Sequence, residues 1–199
     1  MNFFREKKAL ILTETLLTLS ILAASAIIAG SIFTSASTTT MLSKDFLIAN
    51  GLAIEGTEAV KNIIYTNKMI MPTDKTCWLT LDPATNCSPS AAVGSNYLPF
   101  EKDNGSQTKG KWKLGDGALK DLDLEKGAGA NTTYLLYINN DTKRYTTSPT
   151  NAVPSKFYRS VKFLGIADDD SSATFESKVA WFEGAKAWET VSIVDIVNR

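Results

Sequence analysis

An apolar run from Leu10 to Phe33, interrupted by Glu14 and by hydroxyl side chains, gives way to apolar positions three or four residues apart: Leu42, Phe46, Ala49, Leu52, Gly56, Val60 and Ile63. About 20 apolar residues rising 1.5 Å each suffice to cross a bilayer, so the first run predicts a membrane-spanning helix over residues 10–33. The second pattern predicts a helix with one apolar face, because Lys44, Asp45, Asn50, Glu55, Glu58, Lys61 and Asn62 fall largely off that stripe. No proline lies between Leu10 and Tyr65. The two patterns therefore predict one helix over residues 10–67, with Leu10 to Tyr65 alone measuring about 84 Å.

Periodicity weakens from Met71 to about Asn131, where Gly, Asn, Ser, Thr, Pro and Lys dominate. That region reads as loops with one or two short strands, one of them at Lys111-Trp112-Lys113-Leu114. Four strands are predicted beyond it, at Tyr134 to Asn139, Tyr158 to Ile166, Thr174 to Phe182 and Trp188 to Val197, from β-branched and aromatic residues in partial alternation. Glu183-Gly184-Ala185-Lys186 is a hairpin signal, and short connections favour an antiparallel meander. The expected fold is α+β: a long N-terminal helix whose second half packs on the antiparallel sheet of a head formed by residues 68–199.

Glu14 needs explaining, since a carboxylate inside an apolar span is costly. A secretory signal peptide has a shorter apolar core and would hold Glu14 inside it. A signal anchor, with Arg5, Lys7 and Lys8 on the cytoplasmic side and the head outside, fits the length but assigns Glu14 no role. Lys7-Lys8-Ala9 followed by Leu10-Ile11-Leu12-Thr13-Glu14-Thr15-Leu16-Leu17 resembles a type IV prepilin leader. The resemblance implies a leader of residues 1–9, cleavage between Ala9 and Leu10 by a prepilin peptidase, and methylation of the new N-terminus. Glu14 then becomes the fifth residue of the mature chain, where the family carries its glutamate. Ala9 stands where the family usually has glycine, and Leu10 where it usually has phenylalanine. Leu52-Ala53-Ile54-Glu55-Gly56-Thr57-Glu58-Ala59-Val60-Lys61-Asn62, Phe157-Tyr158-Arg159-Ser160-Val161 and Val191 to Asn198 resemble the helix and head motifs of a pilin-like group common in ultrasmall candidate-phylum bacteria.

Charge and chemistry narrow the function classes. The 199 residues carry 21 basic and 21 acidic side chains, a balance that predicts no general attraction to nucleic acid. Lys109, Lys111 and Lys113 around Trp112 have the ingredients of a single-strand stacking site, but they read better as a strand with Trp112 inward and lysines in solvent. Histidine is absent, and no nucleophile elbow, P-loop or zinc motif occurs, so no catalysis and no cofactor are expected. Asp168-Asp169-Asp170 with Ser172 and Glu176 offers oxygens to calcium without the spacing of a calcium loop, and reads as a solvated turn. Cys77 and Cys87 are the only cysteines; with the head outside the cytoplasm they are expected to pair, a metal site being the rival that the missing histidines disfavour.

The expected protein is thus a pilin-like structural subunit. It would be held in the cytoplasmic membrane as a precursor and then assembled with copies of itself by pilus machinery into an extracellular fibre, Glu14 meeting a neighbour's N-terminal amine. The alternatives are a minor pilin or pseudopilin of a secretion or competence system, and an uncleaved single-span anchor carrying a binding head.

Overall fold

The computed structural model describes residues 3–70, 77–81, 91–102, 111–115, 122, 124–125, 128–167, 172–183 and 186–197. The chain divides into two compact units, Met1–Asp45 and Phe46–Arg199.

One helix, α1, spans Phe3–Ile70, 68 residues, and contributes to both units. It starts earlier than the apolar pattern does, because Arg5, Glu6, Lys7, Lys8 and Ala9 are all good helix formers. Its described extent ends at Ile70, two residues before Pro72.

In the second unit the strands are β1 (Asn96–Tyr97), β2 (Pro99–Lys102), β3 (Lys111–Leu114), β4 (Leu135–Asn139), β5 (Tyr145–Thr146), β6 (Ala152–Ile166), β7 (Ser172–Glu183) and β8 (Lys186–Val197). All described pairings are antiparallel, and the main sheet has six strands in the order β5-β4-β6-β7-β8, with β1 also on β6. A second sheet pairs β2 with β3, so the strand expected at Lys111 to Leu114 is present but lies outside the main sheet. The architecture is α+β, a long helix packed on an antiparallel sheet.

The four predicted strands follow one another across the sheet as the expected meander, β4-β6-β7-β8, and the short β5 is added at its edge. β5 turns back on one side of β4, and the chain then returns through Asn151, at positive φ, to lay Ala152, Val153 and Pro154 along the other side. β6 consequently begins six residues before Tyr158, an extension hidden in sequence by Pro154 and by the exposed side chains flanking it.

Helix and sheet share two apolar clusters. Ala49, Leu52 and Ala53 meet Leu136, Phe157, Val179 and Trp181. Further along, Val60, Ile63 and Ile64 meet Val161, Phe163, Phe175, Val194 and Ile196. Burying Leu52, Val60, Ile63 and Ile64 stabilises by roughly 1.5–3 kcal/mol each, whereas a glycine in a helix costs only about 1 kcal/mol. Packing therefore holds this stretch helical despite Gly51 and Gly56. The opposite face of the sheet is covered around Tyr158 and Ala180 by Leu122, Leu124 and Tyr134.

Candidate functional site

The surfaces of α1 are the candidate site, and they differ between its two halves. In the first unit every described residue from Leu12 to Met41 is exposed, and α1 is long and apolar enough to cross a membrane, with none of its apolar window buried. Hydroxyls along it are satisfied within the helix: Thr15, Thr18, Ser20, Ser25 and Ser31 each donate to a carbonyl three residues back, and Thr38, Thr39 and Thr40 to one four back. Such back-bonding matters in lipid, where an unsatisfied hydroxyl is penalised. Ser31, Ile32, Ser35, Ala36, Thr39, Thr40 and Ser43 form one exposed strip of this helix, in which small and hydroxyl side chains flank Ile32.

Glu14 is exposed on this half of the helix. Ala9 and Leu10 lie in helical backbone, and their side chains fall outside the described residues. Glu14 is thus the one residue of the expected processing and assembly set whose side chain the structure places.

In the second unit α1 has two apolar faces. One is the core-facing stripe already described. The other carries Leu47, Ile54, Tyr65 and Met69, separated by seven, eleven and four residues, which is the spacing of a single helix face. These four are 49 to 83 % exposed. Glu58 interrupts the stripe, bridged to Lys61 at 2.6 Å.

The helix is keyed to the sheet by polar groups that sequence reading left without a role. Arg159 is 2 % exposed, and its guanidinium Nη1 lies 3.3 Å from Glu55 Oε1 and donates to the Leu52 carbonyl at 3.4 Å. Burial lowers the pKa of Arg159, while the charge and hydrogen bond of Glu55 oppose that shift. A guanidinium stays protonated regardless, so the head encloses a permanent positive charge. The signal was present in the sequence. Phe157, Arg159, Val161 and Phe163 share one strand face, and a charge at inward parity among aromatics demands a partner.

At the end of α1, buried Asn67 donates through Nδ2 to the carbonyls of Trp78 (3.0 Å) and Thr80 (2.8 Å). It thereby fixes the 3-10 turn Cys77–Leu79 against the helix. Cys77 is fully buried there, and no described cysteine is free. Cys87 lies outside the described residues, as do Lys109 and Asp168 to Asp170. Trp112 packs partly buried against the main core. Among the described residues, no group of three or more Cys, Asp or Glu side chains is placed to hold a metal ion. No protein-family model, curated protein or solved structure matches this chain.

Proposed function

We propose that this chain is a type IV pilin-like structural subunit: a precursor held in the cytoplasmic membrane by the first half of α1, cleaved after Ala9 by a prepilin peptidase, and assembled into an extracellular fibre through its helices. The observation that carries the reading is the second apolar stripe of α1. A simple membrane anchor needs an apolar surface only within the bilayer. Here Leu47 and Ile54, and beyond the Glu58–Lys61 ion pair Tyr65 and Met69, place exposed apolar side chains along the half of the helix that packs on the head, on the side away from the sheet. In a fibre, neighbouring helices would cover them.

Glu14 fits the same scheme. The α-amino group freed by cleavage enters a poorly polarisable helix bundle and needs a counter-charge. At about 4 Å the two charges attract by roughly 4 kcal/mol at an effective dielectric near 20, while either one left unpaired costs several kcal/mol in desolvation. The pair selects the register of neighbouring subunits more than it adds stability. Loss of residues 1–9, which hold three basic and one acidic side chain, would leave a mature subunit with two net negative charges. The fibre carries no catalysis of its own, and its heads face an oxidising exterior, where Cys77 and Cys87 form a disulfide.

The reading is tested by shearing native cells and assaying the released material for filaments that contain this chain. Filaments are expected in the sheared fraction. A chain confined to the membrane fraction under all growth conditions would favour the single-span anchor.

A further inference from the structure

The chain holds four Asn-x-Ser/Thr triplets, Asn86-Cys87-Ser88, Asn104-Gly105-Ser106, Asn131-Thr132-Thr133 and Asn140-Asp141-Thr142. Outside the cytoplasm this pattern marks an asparagine as an acceptor of N-linked glycan, provided that it lies at the surface. Asn86 and Asn104 fall outside the described residues, and the structure separates the other two. Asn131 is 1 % exposed, so its amide is out of an enzyme's reach. Asn140 sits in the turn between β4 and β5, where every residue from Asn140 to Arg144 is exposed. The turn presents it in a fixed frame. Asn139 Oδ1 accepts from the backbone N–H groups of Asp141 and Thr142, both at 2.9 Å, and Asn151 Nδ2 donates to Asp141 Oδ2 at 2.6 Å. Asn140 Nδ2 itself donates to Asn151 Oδ1 at 3.2 Å. That bond uses one of its two amide hydrogens and leaves the other for substitution.

We propose that Asn140 carries an N-linked glycan. The donor is an oligosaccharide joined through a diphosphate to a membrane lipid, and a transferase of the host performs the step. Asn140 Nδ2 attacks the anomeric carbon of the first sugar. The new N–C bond forms as the bond from that carbon to the diphosphate oxygen breaks, the lipid diphosphate leaves with the electron pair, and one amide proton passes to a base of the transferase. Nothing is oxidised or reduced. The remaining N–H keeps the bond to Asn151, so the turn holds its shape around the glycan. Asn140 belongs to none of the apolar clusters, and the added bulk stands in solvent. β5 is the outermost strand on its side of the main sheet, so a hydrated chain on the β4–β5 turn also discourages pairing of that edge with another strand. The inference rests on the proposed placement of the head outside the cytoplasm and not on fibre formation.

The test takes the full chain from its own host and digests it with chymotrypsin, which cleaves after Tyr137 and so parts Asn140 from Asn131. Fragment spectra should show the Asn140 peptide heavier by a chain of sugar residues held on Asn140, and the Asn131 peptide at its unmodified mass. The increment is read on the peptide and adds to the mass of the processed chain. Thr142→Ala, which leaves Asn140 in place, should lose the increment, whereas Thr142→Ser should keep it. Both changes fall on the exposed turn, so the head folds in each. Protease added to spheroplasts of the same cells reports the side of the membrane on which the head lies. A head digested from outside whose Asn140 is bare overturns the glycosylation and leaves the topology standing. An increment that survives Thr142→Ala overturns it as well. A head that stays protected in spheroplasts, with Asn140 bare, overturns the glycosylation and the exterior placement together.

Discussion

Gly56 of α1 lies so close to Ser177 of β7 that a Cβ at position 56 would overlap Ser177 Oγ, stand 3.1 Å from Ser177 Cβ and 3.4 Å from Arg159 Cδ. Ser177 is fully buried and its hydroxyl has no hydrogen-bond partner among the described residues. The helix therefore comes close to the sheet where it presents a glycine and the sheet a serine. Gly56→Ala should destabilise the head by about 1–3 kcal/mol through overpacking, offset by at most about 1 kcal/mol of improved helix propensity. Combining it with Ser177→Gly should recover part of the loss, giving a coupling energy of about 0.5–3 kcal/mol in a denaturation double-mutant cycle. Additive effects would show that the two residues do not set the approach.

The Arg159 clasp makes an ordered prediction. Glu55→Gln leaves a buried guanidinium short of counter-charge, and should cost about 1–2 kcal/mol, less than the 3–5 typical of a fully buried pair because Glu55 is partly solvated. Arg159→Met removes the buried charge altogether and replaces it with an apolar chain of similar reach. It should therefore cost less than Glu55→Gln, and urea midpoints of the two variants decide the order.

Alkali should weaken the head through Tyr158. Burial, then the charge of Tyr137, raises its phenol above the ordinary value of 10.0. The unfolded chain ionises first, so this contribution is fully present below the unfolded pKa and is lost as pH rises from there through the folded value. Between about pH 9 and about pH 11, the melting temperature of Tyr158→Phe should fall less than that of the wild type. Equal slopes would remove Tyr158 from the account. Its ring contact with Phe182, 5.4 Å between centroids, survives the substitution.

Most of this architecture was legible because helix and strand periods differ. The three-to-four spacing from Leu42 to Ile63 located the face of α1 that meets the sheet. Alternation located the cores of β6, β7 and β8, and the Glu183–Lys186 turn emerged as the pairing that closes β7 on β8. What escaped depends on contacts distant in sequence. β1 and β2 are too short to show a period, and β1 exists through its pairing with Lys162 and Val161. The roles of Asn67 and Arg159 lie in carbonyls and a carboxylate supplied by other segments. The outward stripe of Leu47, Ile54, Tyr65 and Met69 was present in the letters, but only the burial of the opposite face separates it from the core.

Assembly should be sensitive to that stripe and to Glu14 in different ways. Ile54→Asp places a charge on the exposed face, away from the sheet, so the head should fold normally while sheared-fibre yield collapses. Glu14→Gln should insert at least as well as the wild type, because a carboxylate in the span is costly. In a fibre it leaves a neighbour's amine without its counter-charge, a loss of about 3–5 kcal/mol per buried pair. Membrane and sheared fractions of the native host separate the two steps. Normal fibre yield from Glu14→Gln would reject the charge-pairing role.

The intact mass of the protein isolated from its own host is the most direct test of the central claim. A processed pilin-like subunit should begin at Leu10, lack residues 1–9, carry one added methyl group, and be lighter by two hydrogens for a Cys77–Cys87 disulfide. Recovery of only the full-length chain beginning at Met1, from membranes and sheared material alike, would contradict processing and identify an uncleaved anchor instead.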